Sequence, residues 1–319
     1  MKTKVSIICI TYNQEKYIAE AIESFLMQKT TFNYEIIIHD DCSTDNTAKI
    51  IKKYEKKYPD KIQAIYQSEN QYSQGIRIID DILIPIAKGE YIAFCEGDDY
   101  WNNEYKLQKQ VEELDKHPEC DICTHAVAVV DSETKKRIGM IRPSKSDKLF
   151  SVEEVIRGDG GFVGTNSIVM RKAIWNCKYI FRKNLQLDYT LQIMGTLRGG
   201  MIYIDLVMAA YRYRAPSSWT RSILTDSNKN CKHHEQLIAA LKQLDYDTSY
   251  KYNNIIEEKI KYHECQCIII KREYKRLFKK ENRNLLSCLS WKERIKVVLK
   301  MTFPCINKFL DWRRHVKYE

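Results

Sequence analysis

The sequence lacks any apolar run long enough to cross a bilayer. Its longest, Ile82–Ala87 and Leu206–Tyr211, fall far short of the roughly 18 residues that a spanning helix needs. Proline and glycine are scarce, 6 and 11 in 319 residues, which excludes collagen-like and low-complexity chains. An export signal is not expected either. The apolar run behind Met1-Lys2-Thr3-Lys4 is only Val5–Ile10, and Thr11-Tyr12-Asn13 follows it where a small-residue cleavage site would stand. A cytosolic chain is the expectation. The 11 cysteines, an odd number, form no even framework, so reduced thiols are expected. Cys120-Asp-Ile-Cys123 and His125 lack a second pair at zinc spacing, which leaves two thiols at the start of a strand. Cys265-Gln-Cys267 lies in a helical stretch, where side chains two apart diverge. Two glycine motifs are missing as well. No G-x-G-x-x-G follows Val5–Ile10, against a dinucleotide dehydrogenase, and no G-x-x-x-x-G-K-[ST] occurs, against a P-loop enzyme.

What is present is a globular composition, 44% hydrophobic and 29% charged, with length for one large domain or two ordinary ones. The net charge of +10 is localised. Residues 271–319 hold 15 Lys and Arg against 5 Asp and Glu, so this stretch carries the whole imbalance and the preceding 270 residues are neutral.

The first half alternates strand and helix signals. Val5–Ile10 is a short β-branched run, as in a strand buried on both faces. Asn13–Gln28 follows with apolar residues at helical spacing. Strand Glu35–His39, helix Asn46–Tyr58, strand Ile62–Tyr66, helix Gly75–Ala87 and strand Glu90–Cys95 continue the alternation. Such units imply an α/β fold with a doubly wound, mostly parallel sheet. After a helix at Tyr105–Leu114 the pattern changes. Asp121–Val130 and Arg137–Ile141 suggest a hairpin about Ser132-Glu-Thr-Lys, Gly158–Gly164 is glycine-rich, Thr165–Met170 and Met201–Tyr211 are strand-like, and Leu187–Leu197 is helical. From Ser227 the chain is helical in character, which places a boundary near 225: a 1–225 domain and a helical 226–319 extension that is basic and amphipathic from 271.

In open parallel sheets, ligands bind outside the carboxyl ends of the strands. Those ends here carry Thr11-Tyr12-Asn13, Asp40-Asp41 and Glu96-Gly97-Asp98-Asp99. Acidic groups converging there repel one another unless a cation joins them. Carboxylates of this kind suit Mg²⁺ or Mn²⁺ bridging to a diphosphate.

Val5-Ser-Ile-Ile-Cys-Ile-Thr-Tyr-Asn13, His39-Asp-Asp-Cys-Ser-Thr-Asp-Asn-Thr47 and Gly89-Glu-Tyr-Ile-Ala-Phe-Cys-Glu-Gly-Asp-Asp-Tyr-Trp101, in that order and spacing, resemble the three signatures of family-2 glycosyltransferases of the GT-A fold. The likeness is strong over residues 1–110 and weaker to residue 220. It implies a Rossmann-like nucleotide-binding half, a nucleotide-sugar donor (usually a UDP-sugar), a divalent metal and inversion at the anomeric carbon. By this resemblance Thr11, Tyr12 and Asn13 line base and ribose, and Asp41 accepts from the uracil ring. Glu96-Gly97-Asp98 stands at the family's Asp-x-Asp motif, with Glu in place of the first Asp. Asp98 is the implied metal ligand, and Glu96 serves the ribose or a metal-bound water. Gly75 and Arg77 fall where relatives contact the nucleotide, although Arg77 also suits a solvated helix face. Asp188, in Leu185-Gln-Leu-Asp-Tyr-Thr-Leu191, stands at the implied catalytic base and also suits an N-cap. Relatives often carry two acidic residues here; this chain has Leu187 before Asp188. Arg212 or Arg214 in Tyr211–Trp219 is a candidate for pairing with the diphosphate, with a surface strand and solvated arginines as the alternative, and Trp219 for stacking on a sugar. Gly160, Gly161, Phe162, Thr165 and Asn166 are placed on the acceptor side. His39 and His125 are expected in the core, and His233-His234 has no partner at metal spacing.

Within 291–314, Ile295, Val298, Leu299, Met301 and Phe303 are interleaved with Lys292, Arg294, Lys296 and Lys300, and Ile306, Phe309, Leu310 and Trp312 follow Pro304. This suits an anionic membrane surface, with packing on the domain or on another subunit as the alternative, ahead of nucleic acid. The expected partners are a nucleotide-sugar and a glycan or lipid-linked acceptor, in assembly of a surface polysaccharide. The rival readings are a non-catalytic scaffold of the same fold and a nucleotidyltransferase. The latter needs a glycine- and basic-rich loop that Asn13-Gln14-Glu15-Lys16 does not supply.

Overall fold

Hydrophobic periodicity accounts for most of the elements. The structure, a computed structural model, describes residues 2–177, 179–181, 188–213, 215 and 226–303. Strand β1 (Thr3–Thr11) buries Val5 to Cys9 without a break, as a strand covered on both faces must. Helix α1 (Ile18–Leu26) buries Ile18, Ala21, Ile22 and Phe25, one stripe at i, i+3, i+4 and i+7. Next come β2 (Asn33–Asp40), α2 (Thr47–Lys57) and β3 (Ile62–Tyr66). A π-turn, Ile78–Leu83, runs into a short helix α3 (Ile84–Ile86) and then β4 (Tyr91–Phe94). The helix expected from Gly75 therefore starts only at Ile78. Gly75 has φ +77°, a left-handed conformation that does not enter a helix.

The chain continues through β5 (Tyr100–Trp101), α4 (Lys106–Lys116), the hairpin β6 (Ile122–Asp131) and β7 (Arg137–Ile141), β8 (Lys148–Phe150), α5 (Val152–Gly158), β9 (Val169–Arg171), α6 (Asp188–Thr196) and β10 (Met201–Tyr213). One ten-stranded sheet results, ordered β3-β2-β1-β4-β9-β6-β10-β5, with β7 on β6 and β8 on β10. The β3-β2-β1-β4 half is parallel throughout, as is the β6–β10 pair. The antiparallel pairs involve β5, β7, β8 and β9. Thr165–Ser167, expected as the start of a strand, forms a 3₁₀ turn, and β9 begins only at Val169.

Close backbone approach ties β1 to β4. A Cβ on Gly89 would lie 2.3 Å from the Ser6 nitrogen. Gly89 N–H donates to Ser6 Oγ, and Ser6 Oγ donates to the buried Glu35 carboxylate.

The chain divides into two compact units, Met1–Lys178 with Gln186–Ser217 and Tyr179–Leu185 with Ser218–Glu319. The second contains α7 (Ser227–Asp247), capped by Asp226, and α8 (Asn253–Ile270). Short helices α9 (Tyr274–Leu277) and α10 (Arg283–Ser287) lead to α11 (Trp291–Thr302), opened by a Ser290/Glu293 capping box. Cys265, Ile268, Tyr274, Leu277, Leu289 and Val297 form a separate core there. No helix among the described residues is long and apolar enough to cross a membrane.

One core residue is unexpected. Lys106 is fully buried, with Nζ 4.1 Å from the centre of the Trp101 ring and donating to the Gln110 amide oxygen at 2.8 Å. Burial pushes its amine down to about 7. From pH 7 to about 10 the unfolded chain therefore carries a proton there that the folded chain sheds, and stability from this group rises with pH, by at most about 1.4 kcal/mol per unit. Lys106→Met removes that component. Urea unfolding at pH 7, 8 and 9 is expected to show the wild type gaining on the variant at each step.

Candidate active site

The carboxyl ends of β1, β2 and β4 are joined by backbone hydrogen bonds. Asp41 N–H donates to Thr11 O, and Gly97 N–H to Ile10 O, each at 3.0 Å. At Gly97 the turn after β4 passes so near β1 that a Cβ would lie 2.4 Å from Gln14 Oε1 and 2.8 Å from Thr11 Oγ1. Only glycine fits. Thr11 is buried and its hydroxyl donates to Gln14 Oε1, while the Gln14 side chain also hydrogen-bonds Asp98.

On the β2 side, Tyr12 is exposed, and Asn13 turns left-handed with φ 52°. Asn13 Oδ1 accepts from Thr44 N–H at 2.8 Å, and Asn13 N–H donates to Ser43 Oγ at 2.9 Å. Asp41 is buried, and its two oxygens accept from Gln71 N–H and Tyr72 N–H. This anchors the loop that carries Gly75. Arg77 pairs with Asp80 and Asp81 one turn along its own π-turn, and it remains about one-third exposed.

The acidic turn after β4 divides by depth. Glu96 is open at the surface; Asp98 and Asp99 are buried. Surrounding protein, together with the charges of Asp188, Asp98 and Asp99, holds the Glu96 carboxyl well above its usual range. Burial raises Asp98 too, against the opposing pull of Arg212 and Gln14. Burial and neighbouring Asp98 push Asp99 well up. Asp99 accepts from Arg212 N–H at 2.9 Å and from Asn166 Nδ2 at 3.0 Å, so it holds structure instead of facing a ligand. Asp188, whose charge acts on Glu96 and Asp99, opens α6, is exposed, and accepts from the Thr165 hydroxyl. Glu96, Asp98 and Asp188 are thus brought to one place.

Arg212 is placed otherwise than expected. Its side chain has no exposed surface. It donates to Asp98 O and to Glu20 Oε2, and lies 5.0 Å from the Tyr17 ring centre and 4.5 Å from that of Tyr100. Arg214 and Trp219 lie outside the described residues. Of the residues expected on the acceptor side, Phe162 packs edge-on against Phe150, and Gly160 O accepts from Gln192. His39 and His125 are buried on their strands; His234 Nδ1 lies 3.0 Å from His263 Nδ1 in the helical unit.

Among the described residues no three His, Cys, Asp or Glu side chains are grouped so as to hold a metal by themselves. The donor set nevertheless fits a hard cation. Two carboxylates raised by burial, Glu96 also by its acidic neighbours, are stabilised by positive charge, and Mg²⁺-like ions take one or two protein carboxylates with the rest from phosphate and water. Sequence reasoning missed Gln14, Glu20 and the structural part of Asp99. A glutamine three residues after Thr11 is the one local signal that pointed to any of them.

Residues 6–178 match the sequence profile described as Glycosyl transferase family 2. An uncharacterized protein of Mycobacterium tuberculosis (strain ATCC 25618 / H37Rv) is 36% identical over 225 residues, 70% of this chain and 63% of that protein. The putative teichuronic acid biosynthesis glycosyltransferase TuaG of Bacillus subtilis (strain 168) is 39% identical over 111 residues, 35% of this chain and 42% of its own length. The chain thus spans less than two thirds of either relative. Among solved structures, that of S. aureus TarS 1–349 in complex with UDP-GlcNAc superposes with a TM-score of 0.61 at 18% identity, over 93% of this chain and 82% of that one, a likeness of fold.

Arg212 lies so deep that its loss falls on stability before ligand affinity. Arg212→Met removes the cation from Glu20 and the Asp98 carbonyl and is expected to cost about 3 kcal/mol, the lower end for breaking a buried pair because Glu20 is about one-third exposed. Urea unfolding checks this. Unchanged stability with weakened nucleotide binding would instead make Arg212 a donor ligand.

Proposed function

The chain belongs to glycosyl transferase family 2, and we propose that it moves a sugar from a UDP-sugar to a hydroxyl of a surface-polysaccharide glycan or lipid-linked acceptor, inverting the anomeric carbon. The observation that carries this reading is the convergence of Glu96, Asp98 and Asp188 at the carboxyl edge of the parallel half-sheet. TarS, solved with UDP-GlcNAc, makes that sugar nucleotide the first donor to test. We assign the transferase to residues 1–225 and a helical extension to 226–319.

In this reading Tyr12 and Asn13 border the base and ribose, and Asp41 meets the base edge while anchoring the 71–72 backbone. Gly75 and Arg77 flank the nucleotide from the loop before the π-turn. Asp98 and Glu96 would hold Mg²⁺ or Mn²⁺ when it is bound. Such an ion offsets charge on the departing diphosphate. Asp188 takes the proton from the acceptor hydroxyl as its oxygen bonds to the anomeric carbon. The bond from that carbon to the phosphate oxygen breaks, and UDP leaves with the electron pair.

Thermal denaturation with UDP, GDP, ADP or CMP, with and without Mn²⁺, tests the donor site, because a ligand bound only to the folded state raises the melting temperature. UDP with Mn²⁺ is expected to give a shift of several degrees that Asp98→Ala abolishes. Asp188→Asn is expected to keep the shift and lose roughly 10²-fold or more in turnover, the usual contribution of a general base. A shift for another nucleotide changes the donor. No shift with any of them moves the assignment to a scaffold.

A second proposal concerns the helical extension. On α11, Trp291, Ile295, Val298 and Leu299 are exposed, as is Phe303 just past its end, while Val297 is buried on the other side. With Lys292 and Lys296 beside this stripe, the face is complementary to an anionic bilayer surface, peripheral to it and not spanning it. Ile306, Phe309, Leu310 and Trp312 lie outside the described residues. Full-length protein is expected to float with phosphatidylglycerol vesicles and not with phosphatidylcholine ones, and Ile295→Asp with Leu299→Asp to abolish flotation. Equal flotation of wild type and variant overturns the proposal.

A further inference from the structure

Asp188 is exposed at the first position of α6, in a cleft where Glu96 and Asp99 feel its charge. A carboxylate so placed is driven by like-charge repulsion to rotate into solvent, away from the place where an acceptor hydroxyl is deprotonated. The Thr165 hydroxyl acts against this by donating to Asp188 Oδ2.

Thr165 is well fixed for that purpose. It opens the 3₁₀ turn Thr165–Ser167, whose next two residues are almost wholly buried. Asn166 Nδ2 donates to Asp99 Oδ2 and to Ala210 O, both at 3.0 Å, and Asn166 O accepts from Trp101 Nε1 at 2.9 Å. Ser167 O accepts from Gln110 Nε2 at 2.8 Å, and the Ser167 hydroxyl donates to Gly164 O. The turn is thereby bonded to the acidic motif, to β10 and to α4, and presents its first hydroxyl to α6. We propose that Thr165 is a positioning residue for the proton-accepting carboxylate, holding Asp188 Oδ2 so that Oδ1 meets the acceptor hydroxyl. This rests on the assignment of Asp188 as the base and adds the group that aims it.

The experiment follows UDP release from UDP-GlcNAc with Mn²⁺, water serving as acceptor, together with crystal structures of wild type and variant. Thr165→Val keeps the shape and removes the donor. It is expected to lower kcat about tenfold, the scale of a modest misalignment of a reacting group, with KM for UDP-GlcNAc and melting temperature unchanged. Its Asp188 side chain is expected in a different rotamer. Thr165→Ser restores the hydroxyl and is expected to recover most of the rate. Wild-type kcat in Thr165→Val, an unmoved Asp188, or a serine variant as slow as the valine one each overturns the proposal. The rotamer comparison decides it even if UDP-GlcNAc proves a poor donor. Asp188→Asn separates the two levels: full turnover in that variant removes the base assignment and this inference with it. A dead Asp188→Asn beside an unaffected Thr165→Val removes Thr165 alone.

Discussion

Asp99 is the carboxylate on which the arrangement of the site depends. It is buried, raised by burial and by Asp98 beside it, and it accepts from the Arg212 backbone and the Asn166 side chain. Through those two bonds the turn after β4 is joined to β10 and to the 3₁₀ turn before β9. Buried acceptors that lose their donors cost the full desolvation of the group, so these bonds are costly to break. Asp98 and Glu96 take their positions from the same turn, and Thr165 takes its own from the same asparagine.

Electrostatics divides the labour within four residues. Asp99 is inside and holds segments together; Asp98 is buried but joined to Gln14; Glu96 is open and faces Asp188. Crowding of this kind is unfavourable for the protein alone and favourable for a protein with a cation beside it. Arg212, close to the turn, gives part of the compensation through the Asp98 carbonyl, and its charge is itself balanced by Glu20 and the rings of Tyr17 and Tyr100.

Period and composition made the parallel half-sheet, its acidic ends and the helical extension legible before any coordinates, because each is a local pattern repeated over several residues. The π-turn reads as a helix because Ile79, Ile82, Leu83 and Ile86 carry the i, i+3, i+4, i+7 spacing, which does not reveal how Gly75 and Arg77 enter it. Arg212 and Lys106 were illegible for a different reason. A basic side chain in sequence looks solvated, and only contacts with residues far along the chain, Glu20 for one and Trp101 with Gln110 for the other, explain its burial. Asn166 and Thr165 were placed near the cleft, but what they hold depends on Asp99 and Asp188.

The order in which this chain leaves the ribosome has a bearing on its chemistry. β1 to β4, which pair with one another, lie within the first 94 residues and are synthesised early. The acidic turn is finished as a site only when β10 arrives to donate from Arg212. At a synthesis rate of about 5–20 residues per second, the nascent chain spends roughly 6–23 s with its carboxylates made but unsupported. During that interval Asp99 lacks its donors and the core that joins Val5 to Ala209 is incomplete, so a polypeptide released early would have the acidic motif without its supports.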